Sequence, residues 1–594
     1  MSKKRVVFLS ISILLGLGLL LGRLMQIQLF QTEHFSKHEV NLYEESVKQR
    51  TQQVLIDDGR GLFLDSKGKP LSHREEMVLV LFPFLKGIEW DEKGVAEILQ
   101  VSPYQLTAKI TEAKSPFIYG ELTELQANKI NELNIPGVIP LKRTWIPDSL
   151  PAAQIIGVIG ENNGELKDRY PDKNMSDLKI GITGLQAQFD EFLLPDTPTK
   201  LIFHVDAIGN PLFGVDVKYT GENNPYYPLN VKTTINHYPL NVKTTINRTL
   251  QEKMEAILEE HQVENGGAIL LDIESGAIIA NASRPALNGQ RPFDDKGAIN
   301  QMFEAHIPGS VFKTVVATAA IEERLISNSD HFNCDLDIRG NIASRSLGEL
   351  NLEDSFARSC NRTFAELANK IQDKDPHLLQ NYAEKLGLIG SQSWEGDVFY
   401  LQDFKQFNAS TGRIFLQDDN QVDHNFISQT GIGQHEVRVS PLGVANMLAT
   451  IARGGQGKAI RVATEIAIRV ATEIQYADGS TMFEFPEQDK RKQSISTAAA
   501  QKMQQLLRRV VTDPEGTGAY FQTLPYEVAG KSGTAQTGIE SEGQQLYNKW
   551  FAGYFPFESP KYSLVTVNLG VKEDDGSVTN LFADLVEMVH EEEQ

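Results

Sequence analysis

Hydrophobic positions along the chain fall into three regimes. The first is a run of seventeen uncharged residues, Val6 to Gly22, which follows Lys3-Lys4-Arg5 and stops at Arg23. Such a run predicts one helix across a bilayer. At ~1.5 Å per residue it spans roughly 26 Å, short of a ~30 Å hydrocarbon core, and Arg5 and Arg23 can snorkel to close the gap. No small-x-small cleavage site follows, because the chain continues Gln26-Ile27-Gln28-Leu29-Phe30. The expectation is an uncleaved anchor with its basic end cytoplasmic and all that follows outside.

In the second regime short apolar runs alternate with polar ones. Thr32 to Gln53 is polar and reads as a helix or stalk. Arg60 to Leu71 reads strand, turn, strand, and Met77 to Phe84 is a further apolar run. Helices are expected at Val95–Leu99 and Glu121–Leu133, and Gly181–Gln186 is expected to open a helix to Leu194. The Gly/Asn/Pro segment Gly221-Glu222-Asn223-Asn224-Pro225 closes this part.

The third regime begins and ends with strands. A helix from Thr249 to about Glu260 precedes strands at Gly267–Ile273 and Ala277–Ala282, joined by Glu274-Ser275-Gly276. A helical stretch starts at Ser310; strands return at Val528–Thr537, Trp550–Phe555 and Tyr562–Leu569, before a last helix at Asn580–Val589. The pattern implies an α+β fold, in which an antiparallel sheet closed by two chain ends carries a helical lobe on one face. The expected domains are a basic tail at 1–5, a transmembrane anchor at 6–25, a mixed α/β pedestal at 26–225 and a main domain at 226–594. Two tandem copies stand out. Tyr227–Asn236 recurs as Tyr238–Asn247, and Ala459–Ile466 as Ala467–Ile474; one copy of each is expected outside the regular core, as a loop or extended hairpin.

Composition narrows the function. A length of 594 residues calls for more than one domain, and 41% hydrophobic content is globular. A net charge of −21 argues against nucleic acid as partner. The cysteines are two, Cys334 and Cys360, read as free thiols. Free thiols fit the cytosol best, and they also fit an exported protein that avoids cysteine, so the count does not decide the compartment. Twelve histidines are scattered along the chain, and neither metal nor organic cofactor is expected.

Candidate chemistry centres on Pro308-Gly309-Ser310-Val311-Phe312-Lys313. Ser310 is expected at a helix N-terminus with Lys313 one turn on, so hydroxyl and amine share a helix face. The amine could take the hydroxyl proton while the helix dipole favours developing negative charge. Alone, Ser-x-x-Lys recurs by accident. Ser359-Cys360-Asn361 before a helical run, and Lys531-Ser532-Gly533-Thr534 on an expected strand, make the set specific when taken in this order.

These three motifs resemble those of the penicillin-binding protein transpeptidases, in their monofunctional class B form. Gly431-Ile432-Gly433-Gln434 with Ser440-Pro441-Leu442, Gly516-Thr517-Gly518 and Trp550-Phe551-Ala552-Gly553-Tyr554 also fit, although His435 stands where that family has glycine. Arg60–Leu71 and Gly181–Gln186 look like the family's pedestal, and no glycosyltransferase segment precedes it. The resemblance implies a serine β-lactamase/transpeptidase-like fold and a peptidoglycan D,D-transpeptidase. Ser310 would become an ester, Lys313 would act as base, and Lys531 would help to lower its pKa. Ser359 would relay protons and Asn361 would hold Lys313 and the substrate backbone. Ser532, Gly533 and Thr534 would bind substrate, with Ser310 and Thr534 N–H groups forming an oxyanion hole. The implied partners are peptidoglycan stem peptides, β-lactam antibiotics and the membrane, with room for a cell-wall synthesis complex. The alternatives are an envelope scaffold with an impaired site, kept open by the tandem insertions, and a β-lactamase-type hydrolase. A Ser–His hydrolase using His306 fails because Pro308 and Gly309 separate it from the helix, while His424 and His435 stay open.

Overall fold

The computed structural model describes residues 3–32, 35, 41–42, 46, 50–147, 149–161, 169–170, 179–194, 199–206, 218–220, 240–416, 423–468, 481–541 and 543–594. The chain divides into two compact units: 1–60 with 75–145 and 195–237, and 61–74 with 146–194 and 238–594. Residues 61–74 and 146–194 therefore cluster with the C-terminal part, not with the remainder of 26–225.

The first unit carries the apolar helix Lys3–Met25, continued by Gln26–Phe30, and the span Val7–Phe30 across the two is apolar and unburied. It is long and apolar enough to cross a membrane. The same unit holds a three-stranded sheet in which Arg74–Leu81 lies between Phe117–Glu121 and Val138–Trp145. Its helices start where side chains satisfy free backbone donors: Asp91 accepts from Gly94 N at 2.9 Å, and Thr123 with Gln126 forms a reciprocal capping box. Leu79, Leu81, Val95, Leu106, Ile110 and Ile130 fill the space between them.

The second unit is built on strands β1 (Gly266–Asp272), β2 (Ile278–Arg284), β3 (Ala529–Ser541), β4 (Gln544–Phe555) and β5 (Tyr562–Val571). They pair antiparallel in the order β2-β1-β5-β4-β3, which brings both ends of the unit into one sheet and leaves β3 at the edge. Period-two alternation sends Ala268 and Leu270 into one layer, and Ile269 and Leu271 into the other. The first layer holds helices α1 (Arg248–Glu260) and α2 (Ser577–Glu593), whose Met254, Leu258, Leu581, Phe582 and Val586 are buried. The expected helical lobe covers the opposite face.

Two lobe helices are apolar all round, the mark of a helix enclosed by protein. One is Lys313–Glu322, buried without interruption from Lys313 to Ala320; the other is Pro441–Ala452, started by Pro441 and by Ser440 Oγ accepting from Gly443 N at 3.0 Å. The helix expected up to Leu194 is two short ones, Gly184–Gln188 and Asp190–Leu193, broken at Phe189, whose buried ring packs on Phe404 and Phe485. Among the duplicated segments, Leu240–Thr244 pairs antiparallel with Ala463–Ile468, so described parts of both lie side by side in a four-stranded sheet. The copy at 227–236 and residues 469–474 lie outside the described residues, as does most of the expected stalk.

Candidate active site

Ser310 does not open the α-helix itself. Gly309–Phe312 forms a 3-10 turn that runs into the helix at Lys313. Gly309 makes the turn feasible: its φ is +55°, and a Cβ there would lie 2.4 Å from Thr534 O. Gly533 answers from β3, where a Cβ would come within 2.6 Å of Pro308 O. Two glycines thus let the nucleophile turn and the edge strand meet backbone to backbone. Trp550 Nε1, one strand in, donates to Ile307 O at 3.0 Å and fixes the approach.

The Ser359-Cys360-Asn361 motif is a turn between helices Leu352–Ala357 and Asn361–Lys374. Ser359 has φ +61°, a conformation that costs a non-glycine residue on the order of 1 kcal/mol. Its neighbour holds it there: Cys360 N donates to Ser355 O at 2.8 Å, and Cys360 is joined by a disulfide to Cys334 across 26 residues, with Cα atoms 5.9 Å apart. The expectation of two free thiols is therefore overturned. The short strand pair Phe332–Asn333 with Glu349–Leu350, invisible as hydrophobic periodicity, carries Cys334 to the motif. A disulfide fits an oxidising compartment.

Three distant segments converge here. Lys313 Nζ donates to Ser359 O at 2.8 Å, Ser359 Oγ at 3.1 Å and Asn361 Oδ1 at 2.7 Å. Lys531 Nζ donates to the same Ser359 Oγ at 3.1 Å and to Ser532 O at 3.2 Å. Ser359 Oγ thus bridges two amines, and both lysines are fully buried. Phe364 lies under Lys313 at 5.4 Å and Phe356 under Lys531 at 5.8 Å. No carboxylate among the described residues pairs with either amine. Burial, then Lys531 and Arg345, push the Lys313 pKa well below the ordinary lysine value. Burial and Arg345 lower Lys531 to about 7. An amine freed of its proton near neutral pH can serve as a base.

Ser310 is half-buried on the 3-10 turn one turn before Lys313, and Thr534 is exposed on the edge strand. Ser532 Oγ donates to Thr517 Oγ1 at 2.8 Å, while Thr517 N bonds to Ala357 O at 3.1 Å; Gly516-Thr517-Gly518 thereby ties β3 to the Ser359 side. The histidines weighed from sequence are engaged elsewhere. The His306 ring bonds to Gln301 O at 2.9 Å, and His424 to Asp373 at 3.0 Å. His435 has φ +60° and packs on Phe426 at 4.6 Å, so it occupies a left-handed position that suits glycine. Sequence reading missed two groups, the disulfide and Arg345. The 26-residue cysteine spacing was the one available signal, and Arg345 had none. Among the described residues no cluster of three or more His, Cys, Asp or Glu could hold a metal.

Comparison with known proteins gives a consistent result. The family described as "Penicillin binding protein transpeptidase domain" matches residues 266–587, more than half of the chain. The chain is 24% identical over 590 residues to the peptidoglycan D,D-transpeptidase FtsI of Escherichia coli K12, covering 93% of this chain and 85% of that one. It is 23% identical to the FtsI homolog of Mesostigma viride, over 52% of this chain and 53% of the other. A chain from a solved peptidoglycan synthase complex, described as coordinating polymerization and crosslinking, shares the fold with a TM-score of 0.65 at 21% identity, covering 98% and 97% of the two chains.

Proposed function

The chain belongs to the penicillin-binding protein transpeptidase family, and on that premise we propose that it is a class B peptidoglycan D,D-transpeptidase working through a Ser310 acyl-enzyme. The carrying observation is the pair of buried amines joined through Ser359 Oγ, with no carboxylate among the described residues to hold their protons. Neutral Lys313 accepts the Ser310 proton as Oγ attacks the carbonyl carbon of the penultimate D-alanine in a stem peptide. The carbonyl oxygen gains the negative charge and sits between the N–H groups of Ser310 and Thr534; one such donor contributes about 10²–10³ in rate. Collapse breaks the C–N bond, and terminal D-alanine leaves with a proton relayed from Lys313 by Ser359. An amine of a neighbouring stem peptide then reverses the steps and takes the acyl group, restoring the Ser310 hydroxyl.

Asn361 keeps Lys313 aimed and offers its amide to the substrate backbone. The free edge of β3 can accept the donor as an added strand, which Gly533 leaves room for. Ser532 and Thr534, with protonated Lys531, receive the terminal carboxylate. β-Lactams present the same carbonyl and carboxylate and acylate Ser310, but their leaving group stays attached. The apolar N-terminal helix anchors the chain in the cell membrane by a single pass, with the catalytic unit outside, where partners in a cell-wall synthesis complex can reach it.

The test is labelling of the full-length protein by a fluorescent penicillin. Ser310→Ala abolishes the label; a label that survives refutes the assignment. Ester lifetime separates this reading from a β-lactamase, because release within seconds would mark a hydrolase.

A further inference from the structure

Around the nucleophile the structure gathers a third cation that the proposed reaction does not use. Arg345 stands on the arm 334–348, and the arm is rigidly built. Cys334 N bonds to Gly348 O at 2.8 Å, closing its base. Asp335 Oδ1 accepts from Ser346 Oγ at 2.5 Å, Leu347 N at 3.0 Å and Gly348 N at 2.8 Å, and Asp335 O accepts from Ala343 N at 2.8 Å. The residues flanking Arg345 on both sides are thus pinned to Asp335. Asp337 is spent in the same way, on the amides of Arg339 and Asn341. The disulfide then fastens the base of the arm to Cys360, between Ser359 and Asn361.

Both carboxylates of the arm are turned onto its own backbone, and Arg345 is exposed with no hydrogen bond or ion pair to a described residue. Its guanidinium is close enough to Lys313 and Lys531 to disfavour the charge on each. An arginine keeps its charge at every physiological pH, whereas burial neutralises amines. Arg345 is thus a cation whose charge does not depend on the state of the two buried amines. A cation carried on a pinned backbone, without a partner among the described residues and beside a reacting centre, is suited to a planar anion, which a guanidinium receives through two parallel N–H bonds.

We propose that Arg345 is a specificity-determining residue of the donor site, pairing with a carboxylate borne on a side chain of the donor peptide, distinct from the terminal carboxylate received at β3. The inference rests on the transpeptidase reading of this same cleft. Two walls supply the two receptors: the edge strand holds the terminus, and the disulfide-fastened arm reads the acyl side.

The experiment uses the full chain in detergent and two penicillins identical except for a free carboxylate on the acyl side chain. The readout is the ratio of their second-order acylation rates at Ser310. Any change in the lysines acts on both compounds alike and cancels in that ratio. The wild type is expected to favour the carboxylated compound by about 5- to 10-fold. Arg345→Gln brings the ratio to about one, and Arg345→Lys keeps part of the preference. A wild-type ratio near one, or a preference that survives Arg345→Gln, overturns the assignment of Arg345. Failure of either penicillin to label Ser310 would instead overturn the transpeptidase reading and the assignment together.

Discussion

Lysines in two regions of the same unit meet opposite fates. At the nucleophile, Lys313 and Lys531 are buried among neutral acceptors, and both amines lose their hold on the proton. At the end of the chain Lys561 is half exposed and paired with Glu593, which also accepts from Tyr526 at 2.5 Å and Tyr562 at 2.7 Å. The hydrogen bond to Glu593 raises Lys561 above its ordinary value. Burial alone would raise Glu593, but hydrogen bonds from Lys561, Tyr526 and Tyr562 outweigh it and hold the carboxyl at about 2. The lesson is one of matching. A lysine given an anion fastens α2 to the sheet, and a lysine denied one becomes a reagent.

The sharpest way to break the contrast is Lys313→Ala. Penicillin acylation falls by about 10³-fold, within the range of general-base contributions, while Lys561→Ala leaves acylation within twofold or so. Equal losses would remove the distinction. Next in size is the Cys334→Ser/Cys360→Ser double variant. Closing a loop across 26 residues stabilises by about 3 kcal/mol, so the urea midpoint drops, and acylation slows as Ser359 loses its tether. A slower reaction at unchanged stability would mean that the bond serves the site alone.

Titration gives smaller effects of opposite sign. Lys531 has a folded value of about 7 against an ordinary 10.5. Between those values the unfolded chain binds more protons than the folded one, so its contribution to stability rises with pH through that window, and Lys531→Met removes the rise. Acylation responds the other way: above pH 7 the terminal carboxylate loses its cation and the rate declines, a limb that Lys531→Arg shifts to higher pH. Glu593 contributes stability above its ordinary 4.5 that is lost as pH falls towards 2. Its pair is part-exposed, so Glu593→Gln costs at most about 1 kcal/mol and flattens that acid limb in equilibrium unfolding.

Much of this was legible in local sequence. Short apolar runs at Gly267–Ile273 and Tyr562–Leu569 announced strands, and the order of the three motifs announced a shared cleft, because each motif is short and carries its own turn or helix start. Contacts between elements with no periodic signature were not legible. Cys334 sits next to a two-residue strand, and Ser359 needs a left-handed backbone that no propensity suggests. Ser310 lies in a 3-10 turn beside Gly309, where Thr534 O, from far along the chain, leaves no room for a side chain. The described parts of the two duplicated segments pair with each other, Val242 facing Ile466 within a sheet, a pairing set by partners and not by either segment alone.

The Cys334–Cys360 link ties the chemistry to geography. Thiols join only where an oxidant is at hand, so the latch between the 334–348 arm and the turn that carries Ser359 closes in an oxidising space and stays open among reductants.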